Sequence, residues 1–357
     1  MDTVTSRNFA ASDLTRIAGA IFSAAGSQPA EAQMVADHLV QANLAGHDSH
    51  GVMRIAKYVD WVLAGEVLAN RHATVVTDKG GLLVIDGGFG YGQVIGWEAM
   101  GLLGARAKRH GFACAALRNA GHLGRIGAWA EQLAADGLAS VHFVNTSGYG
   151  ILVAPHGGSD RRLSANPIAA GVPMTGGDVI LDIATSVIAE GKIQVTRNKG
   201  EALPEGLILD GAGKPTTDPA RFYAPPPGAI LPFGGHKGFG LSFFCEVLAG
   251  ALTGGGSSHP DNPTAKRLVN NMLSLAFDPA AFGSAEAFAT DLVRLADWTK
   301  GSPPGEAGGE VLLPGEPERR TRAARLRDGI PLDKETRRQI AAAAKRVGGT
   351  LPPEFRE

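Results

Sequence analysis

The stretch Leu82-Leu83-Val84-Ile85-Asp86-Gly87-Gly88-Phe89-Gly90-Tyr91-Gly92 decides the fold. A short run of branched apolar residues closed by glycines reads as a buried strand entering a turn. A strand, a glycine turn and a helix would open a dinucleotide fold, provided the glycines fall as G-x-G-x-x-G. They do not: Gly90 and Gly92 leave Ile95 where the third glycine must stand, and Gly96 comes one residue late. That fold also needs an acidic residue about twenty positions further on to hold a ribose. Here Arg106 to Gly111 is basic. A standard Rossmann unit is therefore rejected.

Working outward, the N-terminal side is helical. Asp13 to Ala25 and Pro29 to Ala45 carry apolar residues at helical spacing, with Gly26 and Gly46 near their ends. A third helix follows His50, marked by Val52, Ile55, Val59, Val62 and Leu63. Gly65 to Arg71 breaks the pattern and Ala73 to Asp86 is strand-like. Beyond the deciding stretch come a helix over Val94 to His110, a strand over Gly111 to Leu117 and a helix over Ala128 to Asp136. Strands are expected at Leu138 to Val144, Ile168 to Val172, Val179 to Ser186 and Met272 to Phe277. Helices are expected around Glu190 and Lys192, from Phe239 to Leu252, and over Ala285 to Lys300. Pro204 to Pro227 is rich in proline and glycine and reads as an excursion with little regular structure. From Glu318 onward the chain reads as a charged terminal helix marked by Ile330, Leu332 and Ile340. No internal repeat is present.

Composition narrows the class. The chain has 357 residues, 44 % of them hydrophobic, enough for a substantial core. Lysine plus arginine, 34, balances aspartate plus glutamate, 35, so no basic excess points to nucleic acid. Cys114 and Cys245 sit in apolar runs and read as free thiols of a reducing compartment. Nothing resembles a signal peptide, and the apolar run to Leu252 is interrupted by Glu246 and too short for a bilayer. We expect a cytoplasmic protein without a membrane partner.

Chemistry concentrates in His47-Asp48-Ser49-His50-Gly51-Val52-Met53-Arg54. Asp48 or Ser49 can cap the helix that follows, with His50 at its start and Arg54 one turn further on the same face. An imidazole can pass a proton to a carbonyl oxygen, and a guanidinium can grip a carboxylate with two hydrogen bonds. Together they suit a small acid with a carbonyl or hydroxyl beside its carboxylate. The same spacing also suits a plain capped surface helix. Arg118-Asn119-Ala120-Gly121-His122-Leu123-Gly124-Arg125-Ile126-Gly127 lies between a strand and a helix, the recipe for a phosphate site or simply a tight loop. Pro232 to Gly240 is a second glycine loop at a helix start, carrying Lys237. Asn145 and Thr146 end a strand, where polar groups commonly face a ligand. Two other classes fit less well. A metal hydrolase could use His47, Asp48, His50 and His122, but no HxxE-type pair reinforces them, so no metal is expected. A non-catalytic cofactor binder would have no need of both His50 and Arg54.

These motifs resemble one family, the malate/L-lactate dehydrogenase type 2 family, also known as sulfolactate or ureidoglycolate dehydrogenase-like oxidoreductases. The resemblance rests on Asp48-Ser49-His50-Gly51-Val52 with Arg54, Asn119-Ala120-Gly121-His122 with Gly124, and Asn145-Thr146. It continues through Ala165-Asn166-Pro167, Asp182 to Ser186 with Gly191-Lys192, Gly235-His236-Lys237-Gly238 and Pro314-Gly315-Glu316. It implies an α/β fold whose mixed, non-Rossmann sheet is flanked by helices. Residues 1–72 would form a helical region carrying the catalytic motif, packed with a 318–357 tail. Residues 73–317 would bind the cofactor and the second subunit of a homodimer.

The resemblance further implies hydride transfer between NAD or NADP and a small 2-hydroxy or 2-oxo acid, or alternatively NADPH-dependent reduction of a cyclic imine acid. Lys192, where imine reducers can carry aspartate, favours the oxo acid. His50 matches the proton donor, Ser49 its relay neighbour and His122 a rival donor. Arg54 matches the carboxylate clamp, with Asn145 and Thr146 expected at the substrate. His122, Leu123, Gly124, Arg125, Ile126, Asp182, Ile183, Ala184, Thr185, His236, Lys237, Gly315 and Glu316 match cofactor contacts. Arg125, Arg161, Arg162 and Lys237 are all candidates for a 2′-phosphate. A helix N-terminus and Arg54 should lower the His50 pKa.

Overall fold

The computed structural model describes residues 6–352 other than 265 and 307, together with Phe355. The chain opens with strand β1 (Arg7–Phe9) and helices α1 (Ala11–Ala24) and α2 (Pro29–Leu44). Two 3₁₀ turns, Asp48–His50 and Val52–Arg54, lead into α3 (Ile55–Leu63). There follow β2 (Thr74–Asp78), β3 (Leu82–Asp86), α4 (Gly92–His110), β4 (Phe112–Ala120), α5 (Gly127–Ala135), β5 (Ala139–Gly148), β6 (Ile168–Val172), β7 (Val179–Ile183) and α6 (Glu190–Lys199). A small excursion holds β8 (Ile208–Leu209), β9 (Pro215–Thr216) and α7 (Pro219–Tyr223). Helix α8 (His236–Cys245) runs into a π-helical stretch, Glu246–Ala251, followed by β10 (Leu268–Phe277) and α9 (Ala285–Lys300). The chain ends with α10 (Glu316–Asp328), β11 (Ile330–Leu332) and α11 (Lys334–Arg346).

A mixed sheet lies at the centre, in the order β2-β3-β4-β10-β5-β6-β7. Strands β3 and β4 are parallel, because α4 carries the chain back across the sheet between them. The other pairs are antiparallel. The unit β3-α4-β4 thus supplies the parallel pair of this sheet, far short of the all-parallel architecture of a dinucleotide fold. Strand β10 enters the middle of the sheet from late in the chain, with Met272 opposite Leu117 on one side and Val144 on the other.

The apolar faces form separate layers. Leu83, Ile85, Leu103, Leu117, Trp129, Leu133 and Met272 fill the space between the sheet and helices α4 and α5. Phe22, Leu39, Tyr58, Ile340 and Phe355 belong to a second core that joins the N-terminal helices to the C-terminal segment. A third, smaller core holds Val153, Ile193, Phe222 and Ile230. Among the described residues no helix is long and apolar enough to cross a membrane.

The end of the chain differs from its sequence reading. The charged C-terminal stretch is not one helix. Gly329 takes a positive φ of 87° and ends α10, and β11 then pairs with β1, Phe9 opposite Ile330 and Arg7 opposite Leu332. Ile330 and Leu332 are buried at a period of two, a pattern three residues long and too short to stand out among charges. The stretch from Pro204 to Pro227 holds little regular structure, as expected: the two-residue strands β8 and β9 and the five-residue α7. The Asp218 side chain accepts from Ala220 N at 2.8 Å and starts α7, whose Phe222 is fully buried.

Candidate active site

The site begins with Asn43, buried on α2. Its Oδ1 accepts from Val52 N at 2.8 Å and its Nδ2 donates to Asp48 Oδ1 at 2.6 Å. A Cβ on Gly51 would fall 2.2 Å from Asn43 Oδ1, so only glycine lets the two 3₁₀ turns approach α2 this closely. Arg325 of α10 grips both oxygens of Asp48, at 2.5 and 2.9 Å. Asp48 is therefore not a helix cap, as expected above, but an anchor to the C-terminal segment. Ser49 does not cap either; α3 starts at Ile55 with no side-chain cap. Gly51 is extended, with ψ −156°, and separates the His50 turn from the Arg54 turn. A kink, not helical periodicity, brings these two side chains together.

The rings of His50 and His122 stack 5.6 Å apart and within 10° of parallel. Ser49 Oγ lies 3.0 Å from His50 Nδ1. Tyr58 Oη lies 2.7 Å from His122 Nδ1, and Gln93 Nε2 donates both to Tyr58 Oη (2.8 Å) and to the His122 carbonyl (3.1 Å). Arg54 donates from Nε to the Ser49 carbonyl at 2.6 Å. Among the described residues the two terminal nitrogens of Arg54 carry no hydrogen bond or ion pair. Burial, and next the Arg54 charge, push His50 from 6.5 down to about 3. The same two causes hold His122 well below its ordinary value. Burial is the largest cause of the His50 shift, where sequence reading had credited a helix end and Arg54. Both rings are neutral near pH 7. A gap too small to hold a water molecule, lined in part by Tyr58, Trp61, Gln93 and His122, borders the second ring.

The expected phosphate loop after β4 is already filled by the chain itself. Leu123 N donates to Asn270 Oδ1 (2.8 Å) and Arg125 N to His38 Nε2 (3.1 Å). Gly127 N, at the start of α5, donates to Asp182 Oδ2 at 2.8 Å. An internal carboxylate thus sits where a phosphate was expected. Burial raises its pKa, opposed chiefly by the charge of His47. Arg125 is buried and paired with Glu131.

The second glycine loop is different. Gly234 and Gly235 take positive φ of 54° and 61°, α8 starts with no side-chain cap, and His236 and Lys237 are exposed. Of the four candidate cations, Arg125 pairs with Glu131, Arg161 donates to the Gly228 carbonyl and Arg162 pairs with Asp160. Lys237 has no protein acceptor among the described residues.

Other expected contacts are committed elsewhere. Asn145 is fully buried and donates to Glu246 Oε2 at 3.0 Å. Thr146 accepts from Asn270 Nδ2 at 2.8 Å. Both tie β5 to its neighbours, because a strand in mid-sheet surrounded by buried amides has no open end to offer. Thr185 Oγ1 donates to the Ala165 carbonyl (2.8 Å), whereas Ile183 and Ala184 are half-buried. Gly315, at φ 92°, starts α10, and Glu316 takes Lys300 Nζ (2.6 Å) and Leu313 N (2.9 Å). His47, Asp48, His50 and His122 turn to Glu318, Arg325, Ser49 and Tyr58 respectively. Among the described residues no three such ligands converge as a metal site. Sequence reading missed Asn43, Tyr58 and Gln93. Tyr58 falls in an apolar helical pattern, and nothing in that pattern says its hydroxyl reaches residue 122.

Fold and site together define a class: a mixed-sheet α/β protein that sets two neutral imidazoles beside an uncommitted guanidinium, suited to proton transfer on a small organic anion. The chain belongs to the malate/L-lactate dehydrogenase family, whose sequence profile matches residues 9–341. It is 41 % identical over 349 residues to hydroxycarboxylate dehydrogenase B of Escherichia coli (strain K12), covering 97 % of this chain and 95 % of that one. Malate dehydrogenase from Pyrococcus horikoshii OT3 superposes with a TM-score of 0.87 at 30 % identity, covering 98 % and 99 % of the two chains. Delta1-piperideine-2-carboxylate reductase from Pseudomonas syringae does so with 0.81 at 30 % identity, covering 95 % and 100 %.

Proposed function

We propose that this protein is an oxidoreductase that moves a hydride between NAD or NADP and a small 2-hydroxy or 2-oxo acid. The observation that carries the reading is Arg54. Its Nε is fixed and its two terminal nitrogens are uncommitted beside a pair of neutral imidazoles. Such a fork matches a carboxylate in two-point geometry. A carboxylate held there sets its 2-oxygen near His50 and His122. On oxidation a neutral imidazole accepts the hydroxyl proton, and on reduction it returns one. A carboxylate on Arg54 also offsets the charge that disfavours imidazolium, so substrate binding prepares His50 for protonation.

The nicotinamide cofactor, when bound, supplies or accepts the hydride. The residues present fit its anionic part at the uncapped start of α8, where His236, Lys237 and the free helix end favour phosphate. Ile183 and Ala184 offer half-buried apolar surface further along.

The test is a panel of 2-oxo acids and cyclic imine acids, each with NADH and with NADPH, followed by loss of nicotinamide absorbance. Turnover of at least one 2-oxo acid is expected. Turnover of cyclic imines alone would replace this reading with the imine-reductase alternative. We also infer a homodimer. Phe244 is 60 % exposed on α8 and Trp298 83 % exposed on α9, each beside other exposed apolar residues. Light scattering at micromolar concentration should give twice the chain mass, and a monomer would refute the dimer.

A further inference from the structure

The donor chain behind His122 determines which of its ring nitrogens carries hydrogen. The His122 carbonyl can only accept, so the Gln93 amide must turn Nε2 toward it, at 3.1 Å. The same Nε2 donates to Tyr58 Oη at 2.8 Å. Burial raises the Tyr58 phenol far above its ordinary value, so the phenol keeps its proton. With Gln93 donating to the oxygen, that proton has His122 Nδ1 as its acceptor, 2.7 Å away. A neutral imidazole whose Nδ1 accepts bears its hydrogen on Nε2. A second proton on Nδ1 would face Tyr58 with two N–H donors and strand the phenol hydrogen. Such orphaned polar groups are costly when buried.

His50 has no such constraint. Its Nδ1 meets Ser49 Oγ at 3.0 Å, a hydroxyl that can donate or accept. We propose that Gln93 and Tyr58 lock His122 as the Nε2–H tautomer, so that it is a fixed hydrogen-bond donor to the substrate's 2-oxygen while His50 exchanges the proton. On oxidation His50 donates a hydrogen bond from Nδ1–H to Ser49 Oγ, takes the hydroxyl proton on Nε2 and becomes imidazolium. His122 Nε2–H remains on the same oxygen as it becomes a carbonyl. The hydrogen on C2 leaves as the hydride assigned above, so charge and atoms balance. Tyr58 and Gln93 are positioning residues. The role at the substrate rests on the hydroxy-acid reading above, but the tautomer does not.

Nitrogen-15 spectra of the imidazole rings read the tautomer in the full chain without substrate, with His122→Asn identifying the signals. The unaltered protein should show Nε2–H at His122. Tyr58→Phe removes one oxygen from a buried ring without leaving a cavity. It should release a mixture of tautomers and lower kcat about tenfold with a smaller change in KM. Gln93→Glu puts an acceptor where the donor was, turns the phenol round and should drive His122 to Nδ1–H. An Nδ1–H ring in the unaltered protein overturns the lock, as does a Tyr58→Phe variant with unchanged tautomer and kcat. Since the spectra need no turnover, a wrong tautomer sinks the lock, whereas failure of every acid in the panel sinks the activity reading.

Discussion

Arg54 and His50 belong to one proposed reaction but should fail in different ways. Arg54→Lys keeps the charge and loses the fork, so KM for a 2-oxo acid should rise about 10- to 100-fold with kcat less affected. Steady-state kinetics would show it, and an unchanged KM would remove Arg54 as the clamp. His50, pushed from 6.5 to about 3 by burial and then by Arg54, is already neutral at pH 6.5. Its role as a base is lost only on protonation. The kcat/KM for hydroxy-acid oxidation should therefore hold level down through pH 6.5 and fall only in more acidic solution. A fall centred on 6.5 would mean an unperturbed imidazole. At this scale the sequence already showed His50, Arg54 and His122 as residue types suited to the task. It did not show what each touches, since Tyr58 and Gln93 reach His122 from separate helices.

The two 3₁₀ turns before α3 work because one glycine has no side chain. In Gly51→Ala the new Cβ would meet the Asn43 amide, which must then abandon Val52 N or Asp48. The expected cost is about 1–3 kcal/mol, read by chemical denaturation, with activity reduced at the temperature where the fold persists. A variant as stable and active as the parent would show that the turns have slack. Helices α1, α2, α4, α5 and α9 were legible from apolar spacing, and the β3 turn was correctly read as non-Rossmann from the position of its glycines. The start of α3 was misread. A short acidic residue ahead of an apolar helix looks like a cap, and only the arrival of Arg325, 277 residues away, assigns Asp48 its partner.

For the whole molecule, several buried histidines bias stability against acid. His142 is fully buried between Ser274 Oγ (2.8 Å) and Ser140 Oγ (3.0 Å), and burial lowers it from 6.5 to about 3. Burial, and then Arg125, does the same to His38. Below 6.5 the unfolded chain takes up protons that the folded rings refuse until about pH 3, so stability present above 6.5 is lost as pH falls. Each such ring contributes about 1.4 kcal/mol per pH unit across that window. Denaturation midpoints measured from neutral pH to pH 5 should fall steadily, and His142→Gln should flatten the slope. An identical slope in the variant would show that His142 takes no part.

The sequence by itself determined the class of most segments and the chemistry available, because helical and strand periodicity and residue types are local properties. It also excluded a standard Rossmann unit, since one misplaced glycine is visible without coordinates. Tertiary structure alone decided that β10 enters the middle of the sheet, that β11 closes on β1, and that Asp182 fills the expected phosphate loop. It alone set two imidazoles in parallel beside Arg54. Each of these depends on contacts between residues far apart in the chain, where burial and hydrogen-bond partners are set by packing and leave no periodic trace in the order of residues.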